Sequence, residues 1–131
     1  MIILFVDDDV DNVQMFSEAL KRIDATFRCI VAYNGKQALD ILQTGLVPDY
    51  IFLDINMQVM NGKETLKALR KERRYRKVPV IMYSTAITPD EITSYKKEGA
   101  TRFLIKAGKL QDICLSLEKI ISRATDEIIV G

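Results

Sequence analysis

The chain contains no histidine. That absence excludes Ser-His-Asp and Cys-His catalysis, histidine-rich zinc sites, and a phosphohistidine formed on this chain itself. Whatever chemistry occurs here rests on carboxylates, hydroxyls and amines. Cysteine is scarce too: Cys29 and Cys114 lie far apart within apolar stretches. Two cysteines make no disulfide framework and read as buried thiols in a reducing compartment. Long hydrophobic runs are missing. The apolar start, Met1 to Val6, carries no basic leader and meets Asp7, Asp8 and Asp9 at once. Neither a signal peptide nor a membrane span fits, and the expectation is a cytoplasmic protein. A surplus of one charge is also lacking, since 19 Lys and Arg face 18 Asp and Glu for a net +1. That balance argues against a dedicated nucleic-acid or membrane-surface binder.

What is present is a chain of 131 residues, 48% hydrophobic and 28% charged, enough for one domain with a proper core. Short apolar runs recur at Ile2–Val6, Phe27–Ala32, Tyr50–Leu53, Val80–Tyr83 and Phe103–Ile105. They show little alternation, as strands buried on both faces of a parallel sheet do. Helix-period stripes lie between them: Val13, Phe16, Leu20 and Ile23; Ala38, Leu39 and Leu42; Leu66 and Leu69, ended before Pro79; and Leu110, Ile113, Leu117, Ile120 and Ala124. Pro89 to Glu98 is the weakest helix, offering only Ile92 and Tyr95 to a core, with Gly99 as its stop. A helix so thinly apolar docks loosely and is a candidate for movement. Residues Thr125–Gly131 read as the frayed end of the last helix. Repeated strand–helix alternation predicts an α/β doubly wound sheet with right-handed crossovers.

In open parallel sheets, function gathers at the carboxyl ends of the strands. Those ends are Asp7 and Asp8, Asp54, Ser84 and Thr85, and Lys106. Carboxylates packed together repel and protonate unless a cation joins them. With no histidine or thiolate nearby, a hard, oxygen-seeking cation such as Mg²⁺ is the natural occupant. Each residue also has a plainer reading. Asp9 is most simply an N-cap. Asp7 and Asp8 suit a helix N-terminus as anions. Ser84 alone is an ordinary strand-end hydroxyl, Lys106 alone a solvated lysine, and Asn61-Gly62 a turn signal. Their coincidence at one end of the strands favours a site.

These residues match a family. The sequence resembles the receiver domains of two-component response regulators through Ile3–Asp9, Pro48–Met57, Met60-Asn61-Gly62, Val78–Ala86, Gly99-Ala100 and Phe103–Lys106. The resemblance implies a flavodoxin-like (βα)5 fold with a five-stranded parallel sheet in the order 2-1-3-4-5. It assigns residues 1–125 to the receiver domain and 126–131 to a C-terminal tail. Asp54 corresponds to the phosphoacceptor that attacks a phosphohistidine on a partner kinase or phosphotransfer protein, giving an acyl phosphate. Asp8 and Asp54 would bind Mg²⁺ directly, Asn56 through its backbone carbonyl and Asp7 through water. Lys106 would pair with one phosphoryl oxygen and Ser84 with another. The switch implied is a shift of Ser84 that lets Phe103 turn inward and alters the surface of the fourth helix, fifth strand and fifth helix. On this reading the chain is a stand-alone phosphoacceptor, not an enzyme in its own right. Its output passes to a downstream protein, and it is a monomer or weak dimer.

Departures from the family pattern matter. Gln58 stands where a proline is usual, so the loop after Asp54 is expected to be less rigid. Ala107 replaces the proline that normally follows the lysine through a cis bond. A cis bond before a non-proline residue costs roughly 2.5–4 kcal/mol, which leaves the Lys106–Ala107 geometry open between trans and strained. Charge is also uneven: residues 1–61 carry a net −5 and residues 62–131 a net +6, much of it in Arg70–Lys77. That run reads first as a solvated helix end that complements the dipole, and second as a partner contact. Three rivals share parts of the pattern. A flavodoxin-like cofactor carrier would not place three aspartates in a phosphate-binding loop. An Asp-x-Asp phosphatase wants an acid where Asn56 stands. A pseudo-receiver, which keeps the fold as an unphosphorylated binding module, finds its best support in Ala107.

Overall fold

The computed structural model describes residues 1–106, 108–122 and 128–130. Strands β1 (Ile2–Val6), β2 (Arg28–Ala32), β3 (Tyr50–Asp54), β4 (Val80–Ser84), β5 (Arg102–Ile105) and β6 (Ile128–Val130) alternate with helices α1 (Val10–Ile23), α2 (Gly35–Gln43), α3 (Gly62–Lys71), α4 (Pro89–Lys97) and α5 (Leu110–Ser122). All strand pairs are parallel, and the sheet order is β2-β1-β3-β4-β5-β6. The expected order 2-1-3-4-5 is therefore present, with one strand more than the sequence reading foresaw.

That sixth strand corrects the reading of the tail. Helix α5 ends at Ser122, and Ile128–Val130 pairs with the edge of β5 instead of fraying from the helix. Three β-branched residues favour extended backbone, and β5 would otherwise leave a row of unpaired backbone groups at the sheet edge. Ala124, expected on the α5 stripe, lies outside the described residues, as does Ala107.

Alternation along each strand divides the core into two layers. Leu4, Val6, Ile51, Leu53, Val80, Met82 and Phe103 pack with residues of α2, α3 and α4. Ile3, Phe5, Phe52, Ile81, Tyr83 and Leu104 pack with residues of α1 and α5. Cys29 and Cys114 are free and half-buried.

Helices α1 to α4 begin on side-chain caps, which set where their preceding loops end. Asp9 caps α1, accepting from the backbone of Asp11 at 2.9 Å and Asn12 at 3.3 Å, as its plainer reading required. Asn61 with Glu64 and Thr88 with Glu91 form reciprocal capping boxes on α3 and α4. Asn61-Gly62 is thus a helix start more than a turn. Tyr95 is the only buried side chain of α4, which matches the thin apolar face read from sequence. The helix stops at Gly99, whose φ of +106° few other residues tolerate. Arg70 folds over that stop, donating from Nε to the Gly99 carbonyl at 3.0 Å and from Nη1 to Tyr75 at 2.6 Å and Val78 at 3.0 Å. The first residue of the basic run is therefore a clasp between loops. Its neighbours Lys71, Arg73, Arg74, Arg76 and Lys77 are exposed.

Candidate functional site

The carboxyl ends of β1, β3, β4 and β5 bring the sequence-predicted groups to one rim. Asp7 follows β1 with its backbone N–H held by Ala32 of β2 at 3.1 Å, and its side chain is fully buried (0% exposed). Both its oxygens are engaged: Oδ1 accepts from the Asp9 backbone at 2.9 Å, and Oδ2 from the Asn12 side chain at 3.2 Å. Asp54 ends β3 and is 3% exposed. Its Oδ1 accepts the Asn56 backbone N–H at 3.2 Å, whereas Oδ2 carries no hydrogen bond from the described residues. Asp8 is exposed beside them.

Lys106 bridges the two buried acids. Its Nζ lies 3.3 Å from Asp7 Oδ2 and 3.4 Å from Asp54 Oδ1, with the side chain only 13% exposed. One ammonium cannot neutralise the whole cluster. Burial and the negative charge of Asp7 raise the Asp54 carboxyl to about 6, against the opposing pull of Lys106 and the Asn56 N–H. The same two carboxylates, after burial, push the Tyr83 phenol upward from its ordinary value.

Asp7, Asp8 and Asp54 each offer an oxygen within 4.8 Å of the others. An all-oxygen set of three carboxylates suits a hard divalent cation of the Mg²⁺ kind and suits a soft one poorly. Asn56 is exposed on the loop beyond Asp54. A hollow of ≈ 500 Å³ opens beside Asp8 and Asn56 and is bounded on its far side by Glu91 and Tyr95 of α4. The rim and the loosely docked helix therefore share a wall.

Ser84 is buried at the end of β4, and its hydroxyl donates to the Ala86 carbonyl at 3.1 Å. Its own carbonyl accepts the Lys106 backbone N–H at 2.8 Å, which ties the hydroxyl strand to the lysine strand. Phe103 is fully buried, 0% exposed in the layer beneath α4. Met82, Val80 and Tyr95 share that layer, and an aromatic ring gains more there than in water.

Three site residues went unread in the sequence. Asn12 holds Asp7 from one turn into α1, a role marked only by its spacing of five. Gly62 lets α3 start against β3: a Cβ there would lie 2.5 Å from the Asp54 carbonyl oxygen. Tyr83 places its ring under the Lys106 ammonium, 5.1 Å from ring centre to Nζ. Its position directly before Ser84 was the available signal, because adjacent strand residues face opposite layers.

The response regulator receiver domain family model matches residues 3–118, and the chain belongs to that family. Among relatives, it is 33% identical over 122 residues to the transcriptional regulatory protein CpxR of Escherichia coli (strain K12), covering 93% of this chain and 50% of that protein. It is 27% identical over 121 residues to the two-component response regulator ORR3 of Oryza sativa subsp. japonica, covering 92% of this chain and 91% of that one. Among solved structures, Vibrio cholerae chemotaxis protein CheY4 superposes with a TM-score of 0.82 at 33% identity, covering 95% of this chain and 98% of that one. No helix among the described residues is long and apolar enough to cross a membrane.

Proposed function

We propose that this receiver domain accepts a phosphoryl group onto Asp54 from a phosphohistidine on a partner kinase or phosphotransfer protein, in a Mg²⁺-dependent reaction. The observation that carries this reading is Asp54 itself. It is a buried carboxylate at a strand end, with Oδ1 occupied by Asn56 and Lys106 and Oδ2 left without a donor among the described residues. Attack by Oδ2 on phosphorus forms an O–P bond as the P–N bond of the donor breaks, and the electron pair leaves with the imidazole nitrogen. Asp8, Asp54 and the Asn56 carbonyl would hold the metal. Asp7, whose oxygens are already engaged by Asp9, Asn12 and Lys106, would act through water. Bound there, the cation supplies charge neutralisation between the carboxylates and the incoming phosphoryl oxygens.

Lys106 then moves from carboxylate to phosphoryl oxygen, and Ser84 gives up Ala86 to donate to another. Release of the Ala86 carbonyl frees the loop that runs to Thr88, the cap of α4. The signal would travel through this loop and α4 to a downstream protein. The histidine that this chain lacks would reside on its donor, consistent with a cytoplasmic phosphorelay.

The test is incubation with acetyl phosphate and Mg²⁺, read by intact mass, with Asp54→Asn as control. One phosphoryl gain in the parent alone supports the reading. No gain, or an equal gain in the variant, would leave the pseudo-receiver, a binding module that is never phosphorylated.

A further inference from the structure

Lys106 needs to be held where both acids and an arriving phosphoryl group can reach it, and this chain has Ala107 where its family usually has a proline to shape that backbone. The side chain is restrained differently. Asp7 and Asp54 hold the ammonium at 3.3 and 3.4 Å, and the face of Tyr83 closes it from another side at 5.1 Å. A cation within about 6 Å of an aromatic face is attracted to it, more strongly where water is excluded. Tyr83 is itself closely packed. It is 2% exposed, with Phe5 edge-on at 5.5 Å and Phe16 at 6.5 Å, and those two rings stack on each other at 3.9 Å. The chain of contacts runs from α1 through Phe16, Phe5 and Tyr83 to the Lys106 ammonium. We infer that Tyr83 is a positioning residue for Lys106, its ring seating the ammonium over the acid pair through a cation–π contact.

The ring, and not the phenol oxygen, is assigned this role. No hydrogen bond involves that oxygen among the described residues, and burial, then the adjacent carboxylates, raise the phenol above its ordinary value. The contact also differs in kind from the acid pair. When a phosphoryl group or a metal ion takes over Asp54, a carboxylate contact is lost, whereas the aromatic face remains and keeps the lysine near the rim.

The inference rests on the phosphoacceptor reading for its kinetic test alone, so a second readout is independent of phosphorylation. Reductive ¹³C-methylation of the lysines preserves charge, and the Lys106 signal is identified by its loss in Lys106→Arg. In the parent and in Tyr83→Phe, that signal should sit upfield of the other lysines from the ring current. In Tyr83→Leu, or Tyr83→Met should the leucine variant fail to fold, it should move to the common position. A Lys106 signal at the common position in the parent overturns the inference, whatever the outcome with a phosphodonor.

For the rate of Asp54 phosphorylation by acetyl phosphate at saturating Mg²⁺, Tyr83→Leu should be slower by about fivefold and Tyr83→Phe should restore most of the rate. In a Lys106→Ala background, Tyr83→Leu should cause no further slowing. An undiminished fivefold loss in that background would mean that the ring acts by packing alone, and would overturn the inference. Equal loss in Tyr83→Phe would assign the effect to the hydroxyl and do the same. Absence of phosphorylation in the parent would instead remove the phosphoacceptor reading, and the lysine signal would still decide the role of Tyr83.

Discussion

The Ser84 hydroxyl donates to the carbonyl of Ala86, 3.1 Å away and two residues along the chain, and so closes the β4–α4 connection on itself. The same hydroxyl is the group proposed to reach the phosphoryl oxygen. It cannot do both, and on that proposal the competition would couple the site to α4.

Ser84→Ala removes both alternatives. In the unphosphorylated protein, amide exchange across residues 85–88 should accelerate several-fold, since the loop loses its tie. Phosphorylation should then change protection in α4 less than it does in the parent. An unchanged response of α4 in the variant would show that the loop tie carries no signal.

The elevated Asp54 carboxyl links stability to pH. Its ordinary value is 3.8 and its value in the fold is about 6. The neutral form is therefore favoured by folding: its contribution is complete below about pH 3.8 and is lost as pH rises through about 6. Metal-free protein should lose roughly 1–3 kcal/mol relative to Asp54→Asn between about pH 4 and pH 8. Mg²⁺ should recover much of this at pH 8 and little at pH 4, because only the ionised acids bind it. Urea unfolding at the two pH values, with and without Mg²⁺, measures both effects.

Gly62→Ala places a methyl group 2.5 Å from the carbonyl oxygen of Asp54. Main chain stands on both sides of that contact, so α3 must move away from β3. A loss of about 2 kcal/mol in urea unfolding is expected, with slower phosphorylation of Asp54. Full stability in the variant would show that α3 can slide without cost.

Within the basic run, Arg70 and its neighbours should behave differently. Arg70→Met keeps the length but abandons the carbonyls of Gly99, Tyr75 and Val78, at a cost of about 1–3 kcal/mol. Arg73→Ser and Lys77→Ser, at exposed positions, should change stability by no more than about 0.5 kcal/mol. Thermal unfolding of the three variants tests the contrast.

Much of this architecture was legible because buried parallel strands leave uninterrupted apolar runs. The first five strands begin and end within one or two residues of those runs. The acids were legible for a different reason: carboxylates at strand ends have no packing role to disguise them. Relations between side chains were harder to read. Asn12, Gly62 and Tyr83 look like an ordinary helix polar residue, a turn glycine and a core aromatic until the fold sets them against Asp7, Asp54 and Lys106. Arg70 was taken with its basic neighbours because charge patterning cannot distinguish a side chain that curls inward from one that points to water. The state of Phe103 was not legible, since sequence specifies a ring and not its rotamer. The short strand β6 escaped because three residues form no pattern until an edge is there to receive them.

That strand changes where the chain arrives. A fold that stops after α5 leaves its terminus at the end of the sheet remote from the acids. Here Val130 pairs alongside Ile105, the residue before Lys106, so the last strand runs back toward the rim that holds the acids. A fluorophore or affinity handle placed after Val130 would start from that end of the sheet. If Asp54 is phosphorylated as proposed, such a probe would sense it directly, and a bulky one would compete with the donor for the same approach.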